Sequence, residues 1–130
     1  MDASLLLLPC IGYIDAGDAR MRNTYARIWE QLGSNNLLAR YRTGFDGATS
    51  GEGAFGICCF WAVENLARRG DIEQAEVLFE HLLGYGNDVG LFGEEIEFAT
   101  GAALGNFPQA FTHVGLINAA LAIERSRGAQ

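Results

Sequence analysis

Three stretches of this chain are apolar on every side, and two that alternate with them are not. The run from Asp2 to about Ile14 carries Leu5, Leu6, Leu7, Leu8, Ile11, Tyr13 and Ile14. Ala54 to Arg69 carries Phe55, Ile57, Cys58, Cys59, Phe60, Trp61, Val63 and Leu66. The run from Asn106 or Phe107 to about Arg125 carries Phe111, Val114, Leu116, Ile117, Leu121 and Ile123. A helix that is apolar all round belongs in an interior. Between these lie two segments with one wet side. The first, capped by Asp18, sets Met21, Tyr25, Ile28, Trp29 and Leu32 against Arg20, Arg22, Asn23, Arg27 and Glu30. The second follows Asp71, with Gln74 three residues on as in a capping box, and sets Ile72, Ala75, Leu78, Phe79 and Leu82 against Glu73, Glu76 and Glu80. The sequence therefore predicts an all-α chain of about five helices, alternately inner and outer. Pro9 cannot donate to the carbonyl of Leu5, so it either kinks the first helix or splits it in two.

The connections alternate as well. Asp15-Ala16-Gly17 and Gly70 are short; Gly33 to Gly53 and Gly84 to Gly105 are long. Leu37 to Arg42 reads as a short extended piece within the first long connection. Because successive antiparallel helices swap ends, both long connections are expected on one face, at the N-terminal ends of the third and fifth helices. This is the layout of a sector of a two-layer helical toroid. It carries a deficit, because two amphipathic helices cannot cover three interior ones. Alone, such a sector exposes more apolar area than the few hundred Å² soluble monomers tolerate, so self-association or a partner is expected.

Candidate chemistry gathers on the second long connection, where Glu94 and Glu95 stand side by side in a Gly-rich loop ahead of the last helix. Loops on rigid scaffolds are where such groups act. Other classes fit poorly. A net charge of −7 disfavours nucleic acid and anionic membrane surfaces. The leucine run near the N-terminus lacks the basic start and small-residue cleavage site of a signal peptide, and no other run approaches the roughly 20 apolar residues of a membrane span. A hydrophobic fraction of 49% over 130 residues supports one cored domain. Cys10, Cys58 and Cys59 are odd in number and lack metal or redox spacing. They read as buried free thiols in a reducing compartment such as the cytoplasm. His81 and His113 have no third ligand at metal spacing and read as structural, so neither metal nor cofactor is expected. Trp29 and Trp61 read as packing residues.

The chain also resembles the C-terminal part of glycoside hydrolase family 15, the bacterial group of glucoamylases, glucodextranases and trehalases. The resemblance rests on Asp2-Ala3-Ser4-Leu5-Leu6-Leu7-Leu8-Pro9, Arg40-Tyr41-Arg42, Gly51-Glu52-Gly53-Ala54-Phe55 with Cys59-Phe60-Trp61, Gly90-Leu91-Phe92-Gly93-Glu94-Glu95-Ile96, and Gly105-Asn106-Phe107-Pro108-Gln109-Ala110-Phe111. It implies an (α/α)6 toroid, of which residues 1–130 would be an incomplete C-terminal portion. It further implies exo-acting hydrolysis of an α-glucosidic oligosaccharide or disaccharide with inversion, a reaction needing one carboxylic acid and one carboxylate. Glu94 would be the general base. Arg40, Glu52 and Glu95 would contact substrate. The family's general acid lies in an earlier part of its chain, so these residues alone are expected to hydrolyse neither maltooligosaccharides nor trehalose at a useful rate. The competing expectation is a non-catalytic helical module that self-associates as an assembly or regulatory protein.

Overall fold

The computed structural model describes residues 1–42 and 52–128. Of the Gly-rich run Gly44–Glu52, only Glu52 falls among them. The described residues are mainly helical but not all-α. They form a 3₁₀ turn (Ala3–Leu7), α1 (Ala19–Leu32), β1 (Gly33–Ser34), β2 (Leu37–Leu38), β3 (Ala54–Phe55), α2 (Gly56–Arg68), α3 (Ile72–Leu83), β4 (Glu95–Ile96), β5 (Ala103–Leu104) and α4 (Ala110–Gly128). Each strand is two residues long, too short to leave an alternating pattern in a sequence.

The interior helix expected over Asp2–Ile14 is absent. Asp2 does cap, accepting the Ser4 N–H at 2.8 Å, but what it caps is the 3₁₀ turn. Beyond it Pro9 supplies no N–H, and Gly12 takes a positive φ of 76° within the turns that follow. Ala3 and Leu6 are buried, whereas Ile11 and Tyr13 are 74% and 76% exposed. α1 forms as expected: the Asp18 carboxylate accepts the Arg20 N–H at 2.8 Å, and Met21, Tyr25, Ile28 and Leu32 are buried along one stripe. After it, Asn35 and Asn36 take positive φ of 53° and 58° and close a two-residue hairpin, pairing Gly33 with Leu38 and Ser34 with Leu37. This delivers Leu37 and Leu38 to the core.

α2 is the buried axis of the described residues, packing against α4, α3 and the 3₁₀ turn. Asn65 is buried in it without penalty, because its amide donates to the Leu6 carbonyl at 2.7 Å and the Trp61 carbonyl at 2.9 Å. α3 buries Ala75, Leu78 and Leu82. The expected capping box at its start does not form: the Asp71 carboxylate accepts from Arg69 Nε at 2.6 Å instead, and makes no cap bond.

α4 differs most from its expected enclosed state. It begins at Ala110, four residues after Asn106, and turns its small residues toward α2: Gly115, Ala119 and Ala122 are buried. A Cβ on Gly115 would sit 3.1 Å from the Phe60 Cβ, so the two helices meet nearly backbone to backbone there. Ile123 is buried with them, but four other large residues face away. Phe111, Val114, Ile117 and Leu121 are 68%, 50%, 54% and 45% exposed, at spacings that line one helix face. No helix among the described residues is long and apolar enough to cross a membrane.

Candidate active site

The two long connections meet, as their alternation predicts. β3, at the end of the first, pairs antiparallel with β4 in the second, Ala54 opposite Ile96 and Phe55 opposite Glu95. β4 pairs in turn with β5, Glu95 opposite Leu104. The sheet lies at the N-terminal ends of α2 and α4. The Gly56 N–H, at the start of α2, donates to the Glu94 carbonyl at 3.0 Å, and the Gln109 N–H, just before α4, donates to the Phe92 carbonyl at 2.9 Å. Thr112, buried in the first turn of α4, donates its hydroxyl to the Gly93 carbonyl at 2.9 Å. The loop bearing Glu94 is thereby fixed to both helices.

The neighbouring carboxylates diverge. The Glu95 carboxylate turns to the first connection, where its Oε2 accepts the Gly53 N–H at 2.8 Å. The Glu94 carboxylate turns to Asn106: its Oε2 accepts the backbone N–H of Asn106 at 3.0 Å and the side-chain Nδ2–H at 2.9 Å. The Glu94 N–H donates back to the Asn106 carbonyl at 2.9 Å. Gly105 makes this contact possible. Its φ is 70°, and a Cβ there would stand 2.7 Å from Glu94 Oε2.

Arg40 follows β2 and is held by its backbone, whose carbonyl accepts the Ala3 N–H at 2.7 Å. Its guanidinium lies between two rings, 4.5 Å from the Tyr41 centroid and 4.6 Å from that of Phe55. Its Nε donates to Glu52 Oε2 at 3.2 Å, and its Nη2 pairs with Glu52 Oε1. The Glu52 hydrogen bonds hold the Arg40 pKa above its ordinary value, and the Glu95 charge adds a weaker pull in the same direction. Arg40 Nη1 carries donors that bond nothing among the described residues. Arg40, Tyr41, Phe55, Ile57, Trp61 and Phe111 line an open cleft of about 440 Å³. A larger cleft of about 680 Å³, bordered by Cys10, Glu64, Arg68 and Ser126, lies toward the C-terminal ends of α2 and α4 and contains none of the predicted site residues.

Three of the four predicted residues, Arg40, Glu52 and Glu95, are thus linked by direct contact or through Gly53, and Glu94 immediately precedes β4 with its carboxylate turned the other way. Three neighbours of these residues, Asn106, Tyr41 and Phe55, are not singled out in the sequence. Asn106 reads as a helix start but bonds Glu94. Trp61 packs against the core as its helical pattern predicts, and its half-buried ring also borders the arginine cleft. Both the Tyr41 and Phe55 rings contact the Arg40 guanidinium; Tyr41 shares a motif with it, but Phe55 lies 15 residues further on. The histidines are satisfied. His113 Nε2 accepts the Phe92 N–H at 3.3 Å while its Nδ1 bonds the Gln109 carbonyl at 2.7 Å, the pattern of the tautomer with its proton on Nδ1. His81 Nε2 lies 3.3 Å from the Tyr85 hydroxyl.

The Glu94 carboxylate is held through Oε2 by Asn106, and the Arg40 guanidinium is held by Glu52 against the Tyr41 and Phe55 rings. Neither a protein-family model nor a solved structure matches the chain. It is, however, similar over 97% of its length to proteins named trehalase: 44% identical over 128 residues to that of Mycolicibacterium smegmatis, 43% over 128 residues to that of Mycobacterium tuberculosis. To the trehalase of Thermoplasma acidophilum it is 39% identical over 126 residues, again 97% of this chain. The chain spans only 19% of the length of the first two relatives and 22% of the third.

Proposed function

We propose that this chain is the base-bearing part of an inverting, exo-acting α-glucoside hydrolase of the trehalase kind, a portion of an (α/α)6 catalytic domain. The substrate class is an α-glucosidic disaccharide such as trehalose, or a short α-glucosidic oligosaccharide. Glu94 is the general base that takes a proton from the attacking water. Arg40, backed by Glu52, offers guanidinium N–H groups to sugar hydroxyls beside the Tyr41 and Phe55 rings. Glu95 holds the Gly53 backbone and so sets the distance between the two connections. Inversion needs a carboxylic acid on the opposite side of the scissile bond, about 6.5–9.5 Å from the base, and no cofactor. That acid, with the remaining substrate contacts, comes from the portion of a relative-length protein outside these 130 residues.

The observation that carries this reading is the anchored Glu94 at the same end of the helices as the stacked Arg40, in a chain similar to trehalases over 97% of its length. A second reading has its own support: the exposed face of α4 suits a helical module that covers itself by self-association.

The test is a chimera in which this chain replaces the matched segment of the Mycolicibacterium smegmatis trehalase. We expect it to hydrolyse trehalose, with kcat lowered about 10²–10⁴-fold by Glu94→Gln. Activity unmoved by that change would overturn the assignment of Glu94. The chain alone should release no glucose from trehalose or maltooligosaccharides; release that vanishes in Glu94→Gln would show that it needs no partner.

A further inference from the structure

We infer that Asn106 is a positioning residue that decides which oxygen of Glu94 acts, leaving Oε1 as the atom that takes the proton. The inference rests on the reading of Glu94 as the general base. A carboxylate offers about four lone-pair sites, two on each oxygen. Both donors of Asn106, the backbone N–H at 3.0 Å and the side-chain Nδ2–H at 2.9 Å, converge on Oε2. Oε1 accepts no hydrogen bond among the described residues. The backbone around the pair is fixed as tightly as the side chain: the Glu94 N–H bonds the Asn106 carbonyl at 2.9 Å, and the Glu94 carbonyl accepts the Gly56 N–H at 3.0 Å. Rotation that exchanges the carboxylate oxygens would break both bonds from Asn106, and the backbone bonds hold the residue itself in place.

In the step this geometry serves, an O–H proton of water passes to Glu94 Oε1 while the water oxygen bonds the anomeric carbon. The glycosidic C–O bond breaks with its electron pair going to the leaving oxygen. That oxygen takes a proton from a carboxylic acid supplied outside this chain. A base held by two donors on its far oxygen presents its near oxygen in one orientation. A misplacement of about 1 Å in such a group costs on the order of 10²-fold in rate.

The experiment uses the same chimera and trehalose as substrate. Asn106→Ala should lower kcat about 10–100-fold with KM changed less than about twofold, since the residue acts on the base and not on substrate. Asn106→Asp preserves size but sets a carboxylate against Glu94. Its deficit should be larger at pH 7 and shrink by about tenfold toward pH 5, where the introduced carboxyl is protonated and again donates. Should the alanine variant lose its thermal transition, the isosteric variant decides alone. If Glu94→Gln abolishes activity while both Asn106 variants stay within about twofold of the parent, the positioning role is overturned and the base stands. So too if the aspartate deficit is independent of pH. If the parent chimera is inactive, or Glu94→Gln is harmless, the base reading fails and this inference with it.

Discussion

At the scale of single residues, the site shows how far adjacency in sequence is from adjacency in role. Glu94 and Glu95 are neighbours, yet the Glu95 carboxylate accepts a backbone N–H of the first connection while that of Glu94 accepts two donors from Asn106 in the second. The residues alone single out both, and only the family resemblance gives them different roles; where each carboxylate turns depends on which strand lies on each side of β4. For the same reason Asn106 was legible only as a helix start. Cys10 makes a separate point. Half-buried at the border of the larger cleft, it looks available, but burial, with the nearby Glu64 carboxylate, pushes its thiol up to about 12. Cys59, fully enclosed, is likewise raised to about 12 by burial. The thiolate is the reactive form, so at pH 8 the native chain should react with iodoacetamide at least about 10³-fold more slowly than free cysteine, the rate climbing as pH rises toward 12. Mass spectrometry of the alkylated chain checks this; labelling within minutes at pH 8 would contradict it.

At the scale of elements, α1, α2 and α3 fall close to where hydrophobic periodicity puts them, and the misreadings cluster where chain geometry outranks pattern. Pro9 and Gly12 convert a run of apolar residues into a 3₁₀ turn and the turns that follow it. Asn35-Asn36 is a hairpin signal that the apolar pattern around it hid, and the three-stranded sheet that carries the site consists of two-residue ladders held by neighbours distant in sequence. The α2–α4 contact depends on Gly115, whose hydrogens lie against Phe60 and Ile57. Gly115→Val adds three carbons where even the first would be 3.1 Å from Phe60 Cβ and 3.2 Å from Ile57 Cγ1. We expect it to destabilise the fold by about 1–3 kcal/mol, read as a lower midpoint in urea with an unchanged slope. An unchanged midpoint would mean that the two helices do not approach as closely as this contact requires.

At the scale of the whole molecule, the sequence predicts a shortage of cover, and the structure shows it on α4. A face holding Phe111, Val114, Ile117 and Leu121 is left 45–68% exposed among the described residues, while Gly115 and Ala119 on the other side are buried. The same sequence read as a single enclosed helix hid that asymmetry, because large and small apolar residues count alike in a hydropathy pattern. The purified chain should therefore associate, and replacing Phe111 and Ile117 by Glu should shift it toward monomer in light scattering without loss of helical content; a monodisperse parent monomer would contradict this. If the covering surface belongs to the rest of a hydrolase, the chimera supplies it, and the stereochemistry of its products then reports on Glu94. Water delivered by a base from the far face inverts the attacked carbon. Proton NMR of the first products from trehalose should accordingly show α- and β-glucose in equal amounts before mutarotation, whereas α-glucose alone would mean retention and would contradict the assignment of Glu94 as the base.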